Sequence, residues 1–106
     1  MEKSKQELLA DGLKRLMVAA RPEMLRRLGV VENAAKALQA GTLTEEMHKA
    51  AHAEAHKLAG ALGTYGLMDA SRAAHELEVL LVEPKQEDAK PMKRYVLEVT
   101  LALENK

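Results

Sequence analysis

Apolar residues recur along this chain at intervals of three and four, the spacing of one face of an α-helix. Leu9, Leu13, Leu16 and Ala20 form a first stripe, and Met24, Leu28, Val31, Ala35 and Leu38 a second. Pro22 lies between the two stripes. It suits the first turn of a new helix, although a kinked continuous helix also accommodates it. Gly41 is a plausible stop and "TLTEEM" a plausible restart, with Thr42 and Glu45 spaced as a capping box and Thr44 as the alternative cap. A helix from about Thr44 to Leu62 places Ala51, Ala55, Leu58 and Leu62 on its buried side. "GTYG", Gly63 to Gly66, reads as a tight turn. The next helix carries Ala70, Ala74, Leu77 and Leu81. The polar connector "EPKQEDAKP", Glu83 to Pro91, leads to a last helix with Met92, Val96, Val99 and Leu103 in register. Alternating strand patterns, internal repeats and low-complexity tracts are absent from the sequence. Amphipathic helices joined by short loops predict an all-α, antiparallel bundle.

Composition narrows the chemistry. The sequence has 106 residues, enough for one domain, with no Phe, no Trp and two Tyr, so its core has to be aliphatic. Sixteen basic side chains balance sixteen acidic ones, so no overall field draws the chain to nucleic acid or an anionic membrane. There is no cysteine, which excludes a disulfide framework, a thiolate metal site and a thiol nucleophile. Neither a signal-peptide pattern at the N-terminus nor an apolar run of membrane-spanning length is present, so a soluble cytoplasmic domain is expected, free-standing or excised from a larger protein, and it is read as a monomer. No phosphate-cradling glycine motif with its Lys-Ser/Thr pair occurs, and the chain is not expected to be an enzyme with an ATP site of its own.

The stretch "EAHKLAGALGTYGL", Glu54 to Leu67, carries the most specific signal. On a helical wheel at about 100° per residue, Ala55, Leu58 and Leu62 fall within about 40° of Ala51. His56 falls at roughly 140° and points away from the core. Its neighbours on that face, Ala53, Ala59, Gly60 and Gly63, are all small. A glycine inside a helix is worse than alanine by about 0.8–1 kcal/mol, so this thinning has a cost. Either Gly60 allows another helix to pack closely and Gly63 ends its own, or the face is cleared so that something large reaches the imidazole. The second reading accounts for the histidine and the glycine together. A triad hydrolase needs a nucleophile, a base and a water-excluding pocket, which a bare helix face does not offer. Phosphoryl transfer fits better, because an ordinary imidazole titrates at about pH 6.5 and is mostly neutral and nucleophilic above that. Transfer then depends on positioning and charge neutralisation, which a partner protein can supply.

"AHKLAGALGTYGL" resembles the signature of histidine-containing phosphotransfer domains, A-H-x-L-K-G followed by a glycine-bearing turn; Ala55, His56, Leu58 and Gly60 match. "AAHELE", Ala73 to Glu78, resembles the A-x-x-L-E segment of the same family. The resemblance spans about Leu25 to Leu103. It implies a four-helix bundle; together with the chain length and the first apolar stripe, the expectation is a single domain over residues 1–106 with its core at about 22–104, an up-down four-helix bundle with an additional N-terminal helix. It further implies that His56 exchanges a phosphoryl group with the aspartate of a response-regulator receiver domain, downstream of a histidine kinase or hybrid kinase. The receiver would bring the Mg²⁺, and this chain no cofactor. His52, Ala53, Ala59, Gly60 and Gly63 would form the docking face. Family members usually carry lysine three residues after the histidine. Here that position is Ala59, leaving Lys57, Lys49 and His75 as candidate partners for the phosphoryl charge. By the same resemblance Glu78 would accept a hydrogen bond from Nδ1–H of His56 and leave Nε2 free to attack.

Two other functions compete. His48, His52 and His56 recur every four residues, a spacing that can hold zinc, so a helical metal-binding protein is an alternative. It lacks the intervening carboxylate of H-E-x-x-H, and the plainer reading makes His48 and His52 surface residues flanking the docking site. The other alternative is a degenerate docking module that keeps the bundle but takes no phosphate. A kinase dimerisation-and-phosphotransfer domain fits less well, since Lys57 rather than an acidic residue follows His56 and no proline appears until Pro84.

Overall fold

The computed structural model describes residues 4–104; the ends of the expected 1–106 domain, residues 1–3 and 105–106, lie outside the described residues. Four α-helices follow one another: α1 (Lys5–Ala40), α2 (Glu45–Thr64), α3 (Met68–Leu80) and α4 (Ala89–Glu104), with a short 3₁₀ turn, Gln86–Asp88, leading into α4. No strand occurs among the described residues. Each helix packs against its neighbour in the chain, and α1 closes the ring against α4.

Where the chain starts and stops each helix follows from local chemistry. Ser4 caps α1 by accepting the Glu7 N–H at 3.1 Å. Gly41, at φ 74°, ends α1 in the left-handed conformation that glycine adopts without steric cost, and its N–H returns to the carbonyls of Ala37 and Leu38. Thr44 caps α2, accepting the Met47 N–H at 3.1 Å. Thr42, expected to form a capping box with Glu45, instead donates its hydroxyl to the Ala37 carbonyl, so it belongs to the end of α1. The α2–α3 turn is tighter than "GTYG" implies. Helix α2 runs on through Gly63 to Thr64, and the reversal falls at Tyr65 and Gly66, where φ is 77°.

The additional N-terminal helix is not a separate element. Pro22 lies inside α1, which continues unbroken for 36 residues. Proline removes one hydrogen bond, to the carbonyl of Val18, and here it sits on the exposed side where water can replace it. Good helix formers on both sides outweigh that loss. Most of the first stripe is also not part of the core: Leu9 and Leu16 are 70% and 61% exposed, Leu8 and Leu13 are exposed as well, burial begins at Met17, and of the stripe only Ala20 packs against the core. A helix of this length measures about 54 Å, and the molecule is 58 Å long but only 20 × 19 Å across. The N-terminal part of α1 therefore projects beyond the bundle.

Every other apolar stripe read from the sequence is buried. Met24, Leu28, Val31, Ala35 and Leu38 of α1 meet Ala51, Ala55, Leu58 and Leu62 of α2, with Ala70, Ala74, Leu77 and Leu81 on the α3 side and Met92, Val96, Val99 and Leu103 from α4 in one continuous cluster. An ion pair joins Arg27 of α1 to the largely buried carboxylate of Glu54 on α2, on the flank of α2 away from His56. The polar connector is tied back to α1, where Gln86 donates to the Gln39 carbonyl at 2.8 Å and Lys93 binds the Gln39 side chain.

Candidate functional site

The burial of Ala55 and Leu58 on one side of α2 forces His56 to the other side, and the imidazole is 73% exposed. It is not left free to turn. Its Nδ1 lies 2.8 Å from Oε2 of Glu78, which α3 presents one position beyond the buried Leu77. A carboxylate only accepts, so Nδ1 carries the proton of this bond, and in the neutral ring the lone pair is then on Nε2. Glu78 is only 19% exposed, and its second oxygen lies 3.5 Å from Nδ1 of His75. The result is a half-buried carboxylate holding two exposed rings from two helices.

Around this pair α2 and α3 form a shallow open notch. Ala59 and Gly60 line it from α2; Met68, Ser71, Arg72 and His75 line it from α3. The hydroxyl of Ser71 donates to the Ala59 carbonyl at 2.8 Å, and that of Thr64 to the Gly60 carbonyl at 3.0 Å. The Ser71 bond fixes the register of the two helices and brings residues 71 and 72 to the level of residue 59.

The two glycines divide their roles differently from what spacing implies. A methyl group built on Gly60 meets nothing within 4 Å, so Gly60 does not serve close helix packing. On Gly63 it would stand 3.3 Å from Oγ of Ser71, so Gly63 is the position where α3 approaches closely. Gly60→Ala is accordingly expected to raise the unfolding free energy by about 0.8–1 kcal/mol, the helix-propensity difference. Gly63→Ala is expected to yield less than this, because Ser71 has to give way. Chemical denaturation of both variants checks the contrast.

The remaining expected site residues separate. Lys49 reaches backward along its own helix to Glu45, 3.7 Å away, rather than forward to His56. The Glu23 carboxyl of α1 is held below the usual carboxylate range chiefly by its hydrogen bond to Arg26, and the exposed Lys57 adds a small share. Neither lysine lines the notch. Ala53 is exposed, and His52 lines a separate shallow groove with Lys49 and Val82. His48 is not a surface residue flanking the site. It is half-buried, and its Nε2 donates to the Leu81 carbonyl, which ties the start of α2 to the end of α3. Among the described residues no three His, Asp or Glu side chains are grouped to hold a metal ion.

Sequence reasoning passed over Arg72 and Met68. Both were within reach, since positions 68, 72 and 75 follow helical spacing toward Glu78 and share its side of α3.

Residues 8–105, nearly the whole chain, match the family model of the Hpt domain, and the chain belongs to that family of phosphocarriers in two-component signalling. The match extends well to the N-terminal side of Leu25, where the resemblance was read to begin, and so includes most of the projecting part of α1. No curated protein and no solved structure matches the chain at a significant level. Family membership supports a role in phosphotransfer signalling, with receiver domains and kinases as the class of partner. No helix among the described residues is long and apolar enough to cross a membrane.

Proposed function

We propose that this chain is a phosphorelay carrier whose phosphoacceptor is Nε2 of His56. The observation that carries the reading is the exposed imidazole with its Nδ1 engaged by Glu78 across the α2–α3 seam. In the forward step the Nε2 lone pair attacks the phosphorus of a receiver's aspartyl phosphate. The N–P bond forms as the P–O bond to the aspartate breaks, and the carboxylate leaves with its electron pair. The Nδ1 proton stays in place, and the positive charge that develops on the ring faces the Glu78 carboxylate. The reverse step returns the phosphoryl group to a receiver. Mg²⁺ belongs to the receiver in this scheme and screens the phosphoryl oxygens there. The open ground at Ala53, Ala59 and Gly60 lets a receiver approach in line.

Incubation with phosphorylated receiver domains, followed by mapping of acid-labile phosphate, tests this. Phosphate is expected on His56 and on none of His48, His52 and His75. A docking module that takes no phosphate is the second reading, and Ala59 is the residue that favours it. Failure of every cognate receiver to label any histidine would establish that alternative and end the carrier reading.

A further inference from the structure

A phosphoryl group on His56 brings a charge near −2 to a ring already beside the Glu78 carboxylate. Two anions this close call for a cation, and α2 places none in the notch. Lys49 lines the separate groove beside His52, Lys57 is not among the residues lining the notch, and position 59 is alanine. His75 lines the notch, but its Nδ1 already faces Glu78 at 3.5 Å.

Arg72 also lines the notch, and its circumstances differ. Its ion-pair partner is Asp69 at 4.0 Å, three residues back on the same helix, and both side chains are almost wholly in water at 76% and 101% exposure. Such a pair holds its members only weakly, so the guanidinium can leave it at little cost. The Ser71–Ala59 hydrogen bond puts Arg72 at the level of residue 59, three residues of α2, or about 4.5 Å, beyond His56. Ala59 and Gly60 leave the space between open. Arginine stays charged at any working pH and presents a planar fork that matches two phosphoryl oxygens at once.

We infer that Arg72 is the cation that pairs with the phosphoryl group on His56, delivered from α3 across the notch rather than from α2. The inference rests on His56 as the phosphoacceptor. It assigns the notch a definite occupant, the phosphoryl oxygens, between the guanidinium of Arg72 and Nε2 of His56. Asp69 then acts as a parking place for Arg72 in the unphosphorylated state.

The test compares wild type, Arg72→Ala, and Arg72→Ala combined with Ala59→Lys, each incubated with a phosphorylated receiver. The rate of phosphoryl gain and the site of labelling are read together, and circular dichroism checks that each variant is folded, as the exposure of Arg72 leads one to expect. Loss of a charge-assisted contact predicts roughly tenfold slower gain in Arg72→Ala, with the label still on His56. A lysine at position 59 offers its ammonium to the same oxygens from the opposite wall and is expected to restore most of the rate. Wild-type rates in Arg72→Ala would overturn the assignment, and so would a slow Arg72→Ala that Ala59→Lys does not rescue. Absence of label from His56 in the wild type would overturn the phosphoacceptor reading itself, and the role of Arg72 with it.

Discussion

His56→Gln is expected to fold as wild type does and to accept no phosphate from any receiver. The ring lies in solvent, so replacing it removes no packed surface, and glutamine is a better helix former than histidine. The amide can still donate to Glu78, so the half-buried carboxylate keeps a partner. Stability should therefore change by no more than about 0.5 kcal/mol. Reactivity should vanish, because the amide nitrogen has no basic lone pair to attack phosphorus. The other three histidines make this a stringent test. His48 has its Nε2 committed to the Leu81 carbonyl, while His52 and His75 remain exposed enough to be labelled if exposure alone were sufficient. Acid-labile phosphate persisting in His56→Gln would show that the acceptor lies elsewhere.

Leu58→Ala is expected to have the opposite profile, with chemistry intact and the bundle weakened. Leu58 is fully buried one turn from both Ala55 and Leu62, and the facing helices contribute small residues, Ala34, Ala35, Ala73 and Ala74. Truncation leaves a cavity that such small neighbours cannot fill. The cost should be about 2–5 kcal/mol, a large fraction of the roughly 5–15 kcal/mol that holds a domain together. Denaturant unfolding should show a lower midpoint with an unchanged slope. Below its transition the variant should still take phosphate on His56. A loss under about 1 kcal/mol would mean the core collapses around the gap more readily than its backbone contacts allow.

The residues that sequence placed correctly are those whose position depends on one helix alone. Periodicity put Leu58 inside and His56 outside because both follow from a 100° step, and both are so. It also aligned Glu78 on the right side of α3, and the resemblance named its hydrogen bond to Nδ1 of His56, at the site where the structure has that contact. What escaped depends on relations between helices or on a balance of small terms. Pro22 could end a helix or ride within it, and only the sum of propensities on both sides decides for the unbroken α1. The apolar side chains of Leu9, Leu13 and Leu16 look like core on a wheel, but the other helices are too short to reach them. Gly60 and Gly63 are alike in sequence; the register set by Ser71 gives one open space and the other a neighbour. Lys49 and Lys57 are close to His56 along the chain, yet neither lines the notch beside it.

The His56 ring and the Glu78 carboxylate that holds it are borne by different helices, joined through the short turn at Tyr65 and Gly66. A slip of α2 along α3 by a fraction of an ångström would loosen that clasp and release the ring to rotate. If His56 is the acceptor proposed above, competence for transfer is tied to integrity of the whole bundle. A partly melted molecule would keep its histidine and lose its reactivity, so damaged copies would drop silently out of the signalling pool rather than pass phosphate astray.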